Sequence, residues 1–278
     1  MGETDGIVSF SGEGIGELSI VAKIAKTAFT CGITYYHTMK MMAAYLMGDD
    51  AASHAHAREA RKVLAAIMAM PMEATFYFLH ALVLTRTCRE AAKPDRADAL
   101  ETLAAYRKKL AFWADNCPAN FAGKHALVSA EIAEIEGDEL SAEGLFEQAI
   151  ESARANGFIH WEAMANEAAA RFHGARGLKT ISRAYLREAH SGYARWGAQS
   201  KVRQLEQLYP ELREAPPAGI STGTQDIDIH AIIQASQAIS GQILLDNLLK
   251  TLMRIVLENA GAQQGYLLLI RKEALTLA

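Results

Sequence analysis

Proline is scarce in this sequence, and half of it lies in one place. Only six prolines occur among 278 residues, and three of them fall within residues 209–228. Alanine, in contrast, is abundant, and half of all residues are apolar. Because proline interrupts the helical hydrogen-bond ladder while alanine loses no side-chain entropy in a helix, the composition favours helices on both sides of a linker near residue 209.

Cysteines, long apolar runs and basic patches are few or missing. The cysteines Cys31, Cys88 and Cys117 show no CxxC spacing, and the first ten residues do not resemble a signal peptide. These features predict a reducing, cytoplasmic location without disulfides. No apolar run reaches the ~20 residues that a membrane-spanning helix needs. With a net charge of −4 and no basic stripe, nucleic acid is not an expected partner.

Short breaks divide most of the chain into segments of roughly 12–20 residues, the length of globular helices. The predicted breaks are Gly32, residues 48–50, Pro71, and residues 93–95, 116–120, 137–139, 156–157, 174–177 and 196–197. No period-two strand pattern is evident before residue 262. Regular short breaks predict that each helix is antiparallel to the next one.

The most regular unit covers residues 125–158. Gly137 and Asp138 predict a turn between two helices, and Asn156 with Gly157 predicts the end of the second helix, because glycine tolerates left-handed backbone. LFEQA at 145–149 aligns with YLREA at 185–189, and looser pairs precede this unit. The apolar positions predicted to pack inside it are Leu127, Ala130, Ile132, Ile135, Ala142, Leu145, Phe146, Ala149, Ile150 and Ala153.

One helix pair cannot bury both of its faces, whereas stacked pairs share a continuous core. We therefore predict an all-α, TPR-like helical-hairpin solenoid over residues 17–208, preceded by an irregular arm at 1–16. A linker follows at 209–227. Amphipathic helices are then expected within 228–260, with a strand at 266–270, a turn at Lys272 and Glu273, and the start of a second strand. The sequence is expected to stop inside this last domain, as a truncated piece.

Two segments carry a family resemblance. They are NEAAARFHGARGLKTISRAYLREAHSGYARWGAQSKVRQLEQLYPEL at 166–212 and IIQASQAISGQILLDNLLKTLMRIVLENAGAQQGYLLL at 232–269. In this order they resemble large bacterial multi-domain sensor kinases, which join a Ser/Thr kinase-like domain, an AAA-type ATPase, a TPR-like region, a GAF domain and a histidine kinase. The resemblance covers residues 123–272, and residues 17–122 match only as generic helical repeats.

The resemblance implies that residues 228–278 are the truncated, α+β start of a GAF domain. It also places this piece between the ATPase and the histidine kinase, so the family's catalytic segments lie outside it. No catalytic residue of the family can be assigned to a position in this sequence.

Segments that resemble catalytic or ligand-binding motifs are better explained by structural roles. GEGIGE at 12–17 and GARGLKT at 174–180 lack the spacing of phosphate-binding loops, so we interpret them as part of the arm and as an inter-helix turn. His54 and His56 are two residues apart on a helix and cannot easily share a metal. These histidines and the others that we considered are predicted to pack or to lie at the surface: His37, His80, His125, His160, His173 and His190.

Three further groups are assigned to structure. The carboxylates Glu131, Glu134, Glu136, Asp138 and Glu139 are predicted to form a solvated helix face. The methionines Met39, Met41, Met42, Met47, Met68, Met70 and Met72 are predicted to pack in the core, with a groove for a partner helix as the alternative. Trp113, Trp161 and Trp196 are predicted anchors between helices, one of which could instead be an exposed hot spot.

We accordingly predict no catalytic, cofactor-binding or metal-binding residue, no cofactor and no enzyme activity for this chain. The leading hypothesis is a regulatory scaffold for signal transduction, which binds a partner protein or the polypeptide's own kinase and ATPase domains. A homodimer through residues 228–260 is expected, with no membrane contact. One alternative is a small-molecule sensor that uses a completed GAF domain, and another is an enzyme fragment without its catalytic residues.

Overall fold

The computed structural model describes residues 9–12, 16–27, 29–90, 93–213, 268–271 and 274–277. Ten α-helices lie in these ranges: α1 (Glu17–Lys26), α2 (Thr30–Met47), α3 (Asp50–Lys62), α4 (Pro71–Glu90), α5 (Lys93–Asn116), α6 (Pro118–Glu136), α7 (Glu139–Ala155), α8 (Ile159–Ala175), α9 (Lys179–Trp196) and α10 (Gln199–Leu208). Short 3-10 turns occur at Leu64–Ile67 and Pro210–Leu212. The chain divides into two compact units, Met1–Ala218 and Gly219–Ala278.

The first unit is built from successive antiparallel helix pairs, α2/α3, α4/α5, α6/α7 and α8/α9, followed by α10. The turn within the α6/α7 pair shows how the sequence produces this arrangement. Gly137 has a φ of 82°, a left-handed conformation that a side chain disfavours. Asp138 then caps α7 by accepting a hydrogen bond from the backbone N–H of Ser141. The predicted turn at these two residues is confirmed.

A continuous apolar core runs through the pairs. Phe146 is 1% exposed and packs on Phe172 of the next pair, with the ring centroids 5.3 Å apart. The apolar positions predicted for residues 125–158 are confirmed as buried, except that Ile135 and Leu145 are only partly buried. An all-helical solenoid of TPR-like hairpins is therefore present in this unit.

One predicted break is wrong. Gly32 lies inside α2, where an added Cβ would stand 2.5 Å from the ring of Phe29. The lack of a side chain at Gly32 therefore makes room for the Phe29 ring, and this glycine does not end a helix. The helix boundary predicted at 93–95 is displaced slightly, because α4 ends at Glu90 and α5 begins at Lys93. Residues 93–95 belong to the first turn of α5, where proline is well tolerated because the backbone N–H groups have no helical partner.

The second unit contributes an antiparallel strand pair to the described residues, β1 (Leu268–Arg271) and β2 (Ala274–Leu277), with Leu268 opposite Leu277. The predicted first strand and the start of a second strand are thus present, with the first strand beginning at residue 268. The turn predicted at Lys272 and Glu273 lies outside the described residues. The helices expected within 228–260 lie outside the described residues, as do residues 214–227 of the linker predicted at 209–227. Its described beginning contains the short 3-10 turn Pro210–Leu212. Among the helices described, none is long and apolar enough to cross a membrane.

Candidate interaction groove

The first helices of the pairs line a groove of about 570 Å³. The C-terminal halves of α2, α4, α6 and α8 form most of its wall, and α9 and α10 complete it. Its principal charged residues are Arg86 and Arg89 on α4, Glu131 on α6, Glu167 and Arg171 on α8, and Lys201 on α10. We call this surface the inner groove.

Four charged side chains link α4, α6 and α8, the first helices of three successive pairs, in the wall of the inner groove. Arg89 on α4 donates to Glu131, and also to Glu134 at 2.9 Å, and both acceptors lie on α6. From the other side, Arg171 on α8 donates to Glu131 at 2.8 Å and to Glu134 at 2.6 Å. Two carboxylates are therefore held between two guanidinium groups, and every ion pair joins different helices.

This arrangement corrects the prediction that these carboxylates lie on a solvated helix face. The Glu131 side chain is only 2% exposed, and that of Glu134 is 17% exposed, whereas Glu136, Asp138 and Glu139 are exposed as predicted. Glu131 and Glu134 are three residues apart, so they lie on the same face of α6. That face is covered by α4 and α8, where arginines compensate the buried charges.

The electrostatics of the four-residue cluster follow from this pairing. Burial alone would raise the pKa of Glu134, but the hydrogen bonds and charge of Arg171, together with those of Arg89, hold it below its ordinary value. Burial and the nearby charge of Arg171 lower the pKa of Arg89. The Nε atom of Arg89 is buried without a hydrogen-bond partner in the described part of the chain, which is unusual for a buried donor.

A second polar cluster joins the last helix to the first pair. Lys201 on α10 donates to Glu167 at 2.6 Å and to the backbone carbonyl of Leu46 at 2.7 Å. Gln204 donates to the carbonyl of Met47 at 2.8 Å. Burial and the neighbouring Glu167 raise the pKa of Tyr193, whose hydroxyl donates to that carboxylate at 2.6 Å. These contacts satisfy carbonyls at the end of α2 and connect helices that are far apart in sequence.

Arg86 similarly links α4 to the end of α2 and the start of α3. Its guanidinium donates to Asp50 at 2.7 Å and to the carbonyl of Tyr45 at 3.2 Å, and it lies 4.1 Å from the centroid of the Tyr45 ring. The groove therefore carries several paired charges around apolar patches such as Leu186 and Leu205.

The histidines considered as possible ligands are dispersed. His54 contacts Thr87 on α4, His56 contacts His37 on α2, with 2.9 Å between their Nδ1 atoms, and His190 contacts Glu206. No group of three or more metal-ligating side chains occurs in the described residues. Gly177, in the second glycine-containing segment, has a φ of 78° in the turn before α9.

The methionines and tryptophans divide between core and surface. Met41 and Met42 are buried as predicted, whereas Met39, Met68 and Met70 are exposed. Trp161 packs on Phe78 between α8 and α4, with the ring centroids 5.0 Å apart, in line with its predicted anchoring role. Trp196 is 38% exposed and stacks on His160.

Sequence reasoning missed the arginines and the lysine of the groove. Arg89 and Arg171 lie far from Glu131 in sequence, so no local spacing indicated their pairing. The available signal was the uneven charge of α4 and α8, whose C-terminal halves each carry arginine toward the carboxylates of α6.

Stacked helical hairpins whose first helices line a groove define the TPR class of repeat protein. A family model described as "CHK1-like, TPR repeats" matches residues 32–173, just over half of the chain. The chain belongs to this family. The match includes the earlier pairs, which by sequence resembled only generic helical repeats.

The chain is also similar to one curated protein over a short segment. The chain is 46% identical over 44 residues to hybrid signal transduction histidine kinase G of Dictyostelium discoideum. The matched segment is 16% of this chain, and the chain spans only about 1% of that relative's length. No solved structure matches the chain.

Proposed function

We propose that the chain is a protein-interaction scaffold and that the inner groove is its docking surface. TPR-like repeats generally mediate contacts between proteins. The observation that carries the proposal is the line of charged side chains along the groove, contributed by successive first helices. A partner segment lying along α4, α6 and α8 would meet these charges one after another.

The partner contacts are best supplied by Arg171 and Arg89. Their side chains are 38% and 23% exposed, so part of each guanidinium faces the groove. A carboxylate of the partner can accept hydrogen bonds there while Glu131 and Glu134 keep the guanidinium groups in place. Preorganised donors reduce the entropic cost of binding.

The test measures binding of the purified chain to the modules that the sensor-kinase resemblance implies, the kinase-like and ATPase domains of the same polypeptide. Isothermal titration calorimetry should show binding that Arg171→Ala weakens at least tenfold, a typical loss for an interface arginine. Arg187→Ala removes an exposed arginine outside the groove and should bind like the unaltered chain. Equal affinity of the two variants would show that the inner groove is not the docking surface.

We further propose that the full-length protein is a signal-transduction kinase with serine/threonine kinase, histidine kinase and two-component modules, located in the cytoplasm. The short similarity to a histidine kinase supports the signalling context. In this arrangement the chain would relay a change in helix packing between an ATPase/kinase module and a GAF–histidine kinase module, without catalysis of its own.

Residues 228–278 would be the first part of the GAF domain, and residues 228–260 would form a homodimer contact. Light scattering of residues 1–278 and of residues 1–212 tests the dimer. We expect a concentration-dependent rise in mass only for the longer chain. A constant monomeric mass for both chains would contradict it.

A small-molecule sensory role for a completed GAF domain is the second candidate. The β1–β2 pair, which lies where the resemblance places the first strands of that domain, is the observation in its favour. A thermal-shift screen with metabolites distinguishes the candidates. Stabilisation of a protein with a completed GAF segment, but not of residues 1–212, would favour the sensor.

A further inference from the structure

A second cavity, of about 500 Å³, lies at the opposite ends of the same first helices. The N-terminal parts of α4, α6 and α8 surround it, together with the end of α5. Five aromatic side chains contribute to its walls, and Lys124 lies among them: Trp113, Phe121, Phe158, His160 and Trp161. We call it the aromatic pocket.

Local sequence explains why a lysine lies among these rings. Phe121 and Lys124 are three residues apart and therefore share one face of α6. Phe158 immediately precedes α8, and Trp161 lies in its first turn. The Nζ atom of Lys124 lies 5.0 Å from the centroid of Phe158, 5.2 Å from that of Trp161 and 5.7 Å from that of Phe121. Three rings thus enclose one ammonium group at cation–π distance.

The ammonium group of Lys124 has little other compensation. It donates one hydrogen bond, to the carbonyl of Asn120 in its own helix at 2.9 Å. Its other two N–H bonds have no acceptor among the residues that the structure describes, and no carboxylate there pairs with it. The lysines and arginines of the inner groove, in contrast, have carboxylate partners.

The carboxylate that lines the aromatic pocket is already engaged. Glu73 accepts hydrogen bonds from Lys109 at 2.7 Å and from the backbone N–H of Ala69 at 2.8 Å. Ala69 has a φ of 64°, a conformation that is uncommon for a residue with a side chain. Glu73 therefore holds the rim of the pocket in place, and Lys124 is left without a counter-charge.

The energetic consequence is an ammonium group that its surroundings disfavour. Burial lowers the pKa of Lys124 to about 8, and burial together with Lys124 lowers the pKa of His160 to about 4. At neutral pH the histidine is therefore neutral, and the charge of the lysine stands alone. A negatively charged group of a ligand would supply what the protein itself does not.

We propose that the aromatic pocket binds a small-molecule carboxylate with a flat aromatic body. The ligand's carboxylate accepts hydrogen bonds from the two remaining N–H groups of Lys124. Its aromatic body packs against Trp113, Phe121 and Trp161. The cavity has the size, the apolar lining and the few polar groups that are typical of small-molecule sites. The N-terminal ends of α6 and α8 also favour negative charge.

The proposal is independent of the inner groove, because the two surfaces use different residues. It predicts that charge and an aromatic body are both required for binding. A ligand with only one of them would leave either the ammonium or the rings without a partner.

Isothermal titration calorimetry on residues 1–278 at pH 7 tests this requirement with 2-naphthoate, 2-naphthamide and acetate as probes. We expect 2-naphthoate to bind at least tenfold more tightly than either of the others. Equal affinity for the acid and the amide would overturn the role of Lys124. Equal affinity for the acid and acetate would overturn the role of the rings, and no binding of 2-naphthoate would overturn the site.

A matched pair of variants locates the effect. Lys124→Met keeps the length of the side chain and removes its charge, so it should bind 2-naphthoate at least tenfold more weakly while leaving affinity for the amide unchanged. Lys108→Met removes an exposed charge outside the pocket, and it should leave both affinities unchanged. A similar loss in both variants, or in neither, would contradict the assignment.

Discussion

Buried charges are compensated differently at the two ends of α4, α6 and α8. At their C-terminal ends, Arg89, Glu131, Glu134 and Arg171 compensate one another within the protein. At their N-terminal ends, Lys124 lies among aromatic rings with no carboxylate pairing to it in the described residues. The same three helices thus carry a closed ion-pair cluster and an open, electron-rich cage around a cation.

The two surfaces are suited to different binding partners. In the inner groove, the buried charges are already paired, so the network fixes helix positions and offers only its exposed edges to a partner. In the aromatic pocket, the ammonium group of Lys124 has no carboxylate partner among the described residues, so it can form an ion pair and hydrogen bonds with a ligand. Removing a charge should therefore have opposite effects on stability at the two ends.

The largest effect should come from breaking the core that both ends share. Phe146→Asp places a charge where the phenylalanine is 1% exposed, and it should lower the free energy of unfolding by about 4 kcal/mol or more. Urea unfolding followed by circular dichroism measures this loss. Leu140→Asp on the same helix, at a position that is 83% exposed, is the matched control and should change stability little.

Removing a paired charge from the inner groove should come next. Glu131→Gln keeps the shape of the side chain but leaves Arg89 and Arg171 to share Glu134, so the free energy of unfolding should fall by about 3 kcal/mol. Urea unfolding again provides the measurement, and Glu136→Gln on the exposed side of α6 is the control. Equal stability of the two variants would show that the cluster contributes nothing to stability.

Removing the unpaired charge of the aromatic pocket should have the opposite sign. Lys124→Met eliminates an ammonium group that burial disfavours, and it should raise the free energy of unfolding at pH 7 by about 1–2 kcal/mol, after allowance for partial exposure. Differential scanning calorimetry of this variant and of Lys108→Met measures the gain. A loss of stability specific to Lys124→Met would mean that the cation–π contacts outweigh desolvation.

The smallest effect should be a change with pH in the stability that Lys124→Met adds. The pKa of Lys124 is about 8 in the folded chain, below the ordinary value of 10.5. Above pH 8 the unfolded chain binds this proton better than the folded chain, so the free energy of unfolding rises with pH in that range. The advantage of Lys124→Met should therefore shrink between pH 7 and pH 9.5. Thermal unfolding of both proteins at the two pH values checks this, and a constant difference would contradict it.

Particular residues show how far sequence reasoning reached. The burial of Phe146 and the turn at Gly137 were predictable, because helical periodicity and glycine chemistry act over a few residues. The position of Gly32 inside α2 was not predictable, because it depends on the Phe29 ring that packs against the helix at this residue. Glu131 was misjudged for a related reason: alone on α6 it resembles a surface carboxylate, and only two arginines from other helices make its burial possible.

The helical hairpins, their turns and the apolar faces that join them in one core follow from the amino-acid sequence alone, because they depend on interactions between residues that are close in the chain. The tertiary arrangement is needed to establish which polar side chains are buried, which of them are paired, and where aromatic rings from different helices meet around Lys124. Charge compensation depends on distances between helices, and packing of the core sets those distances.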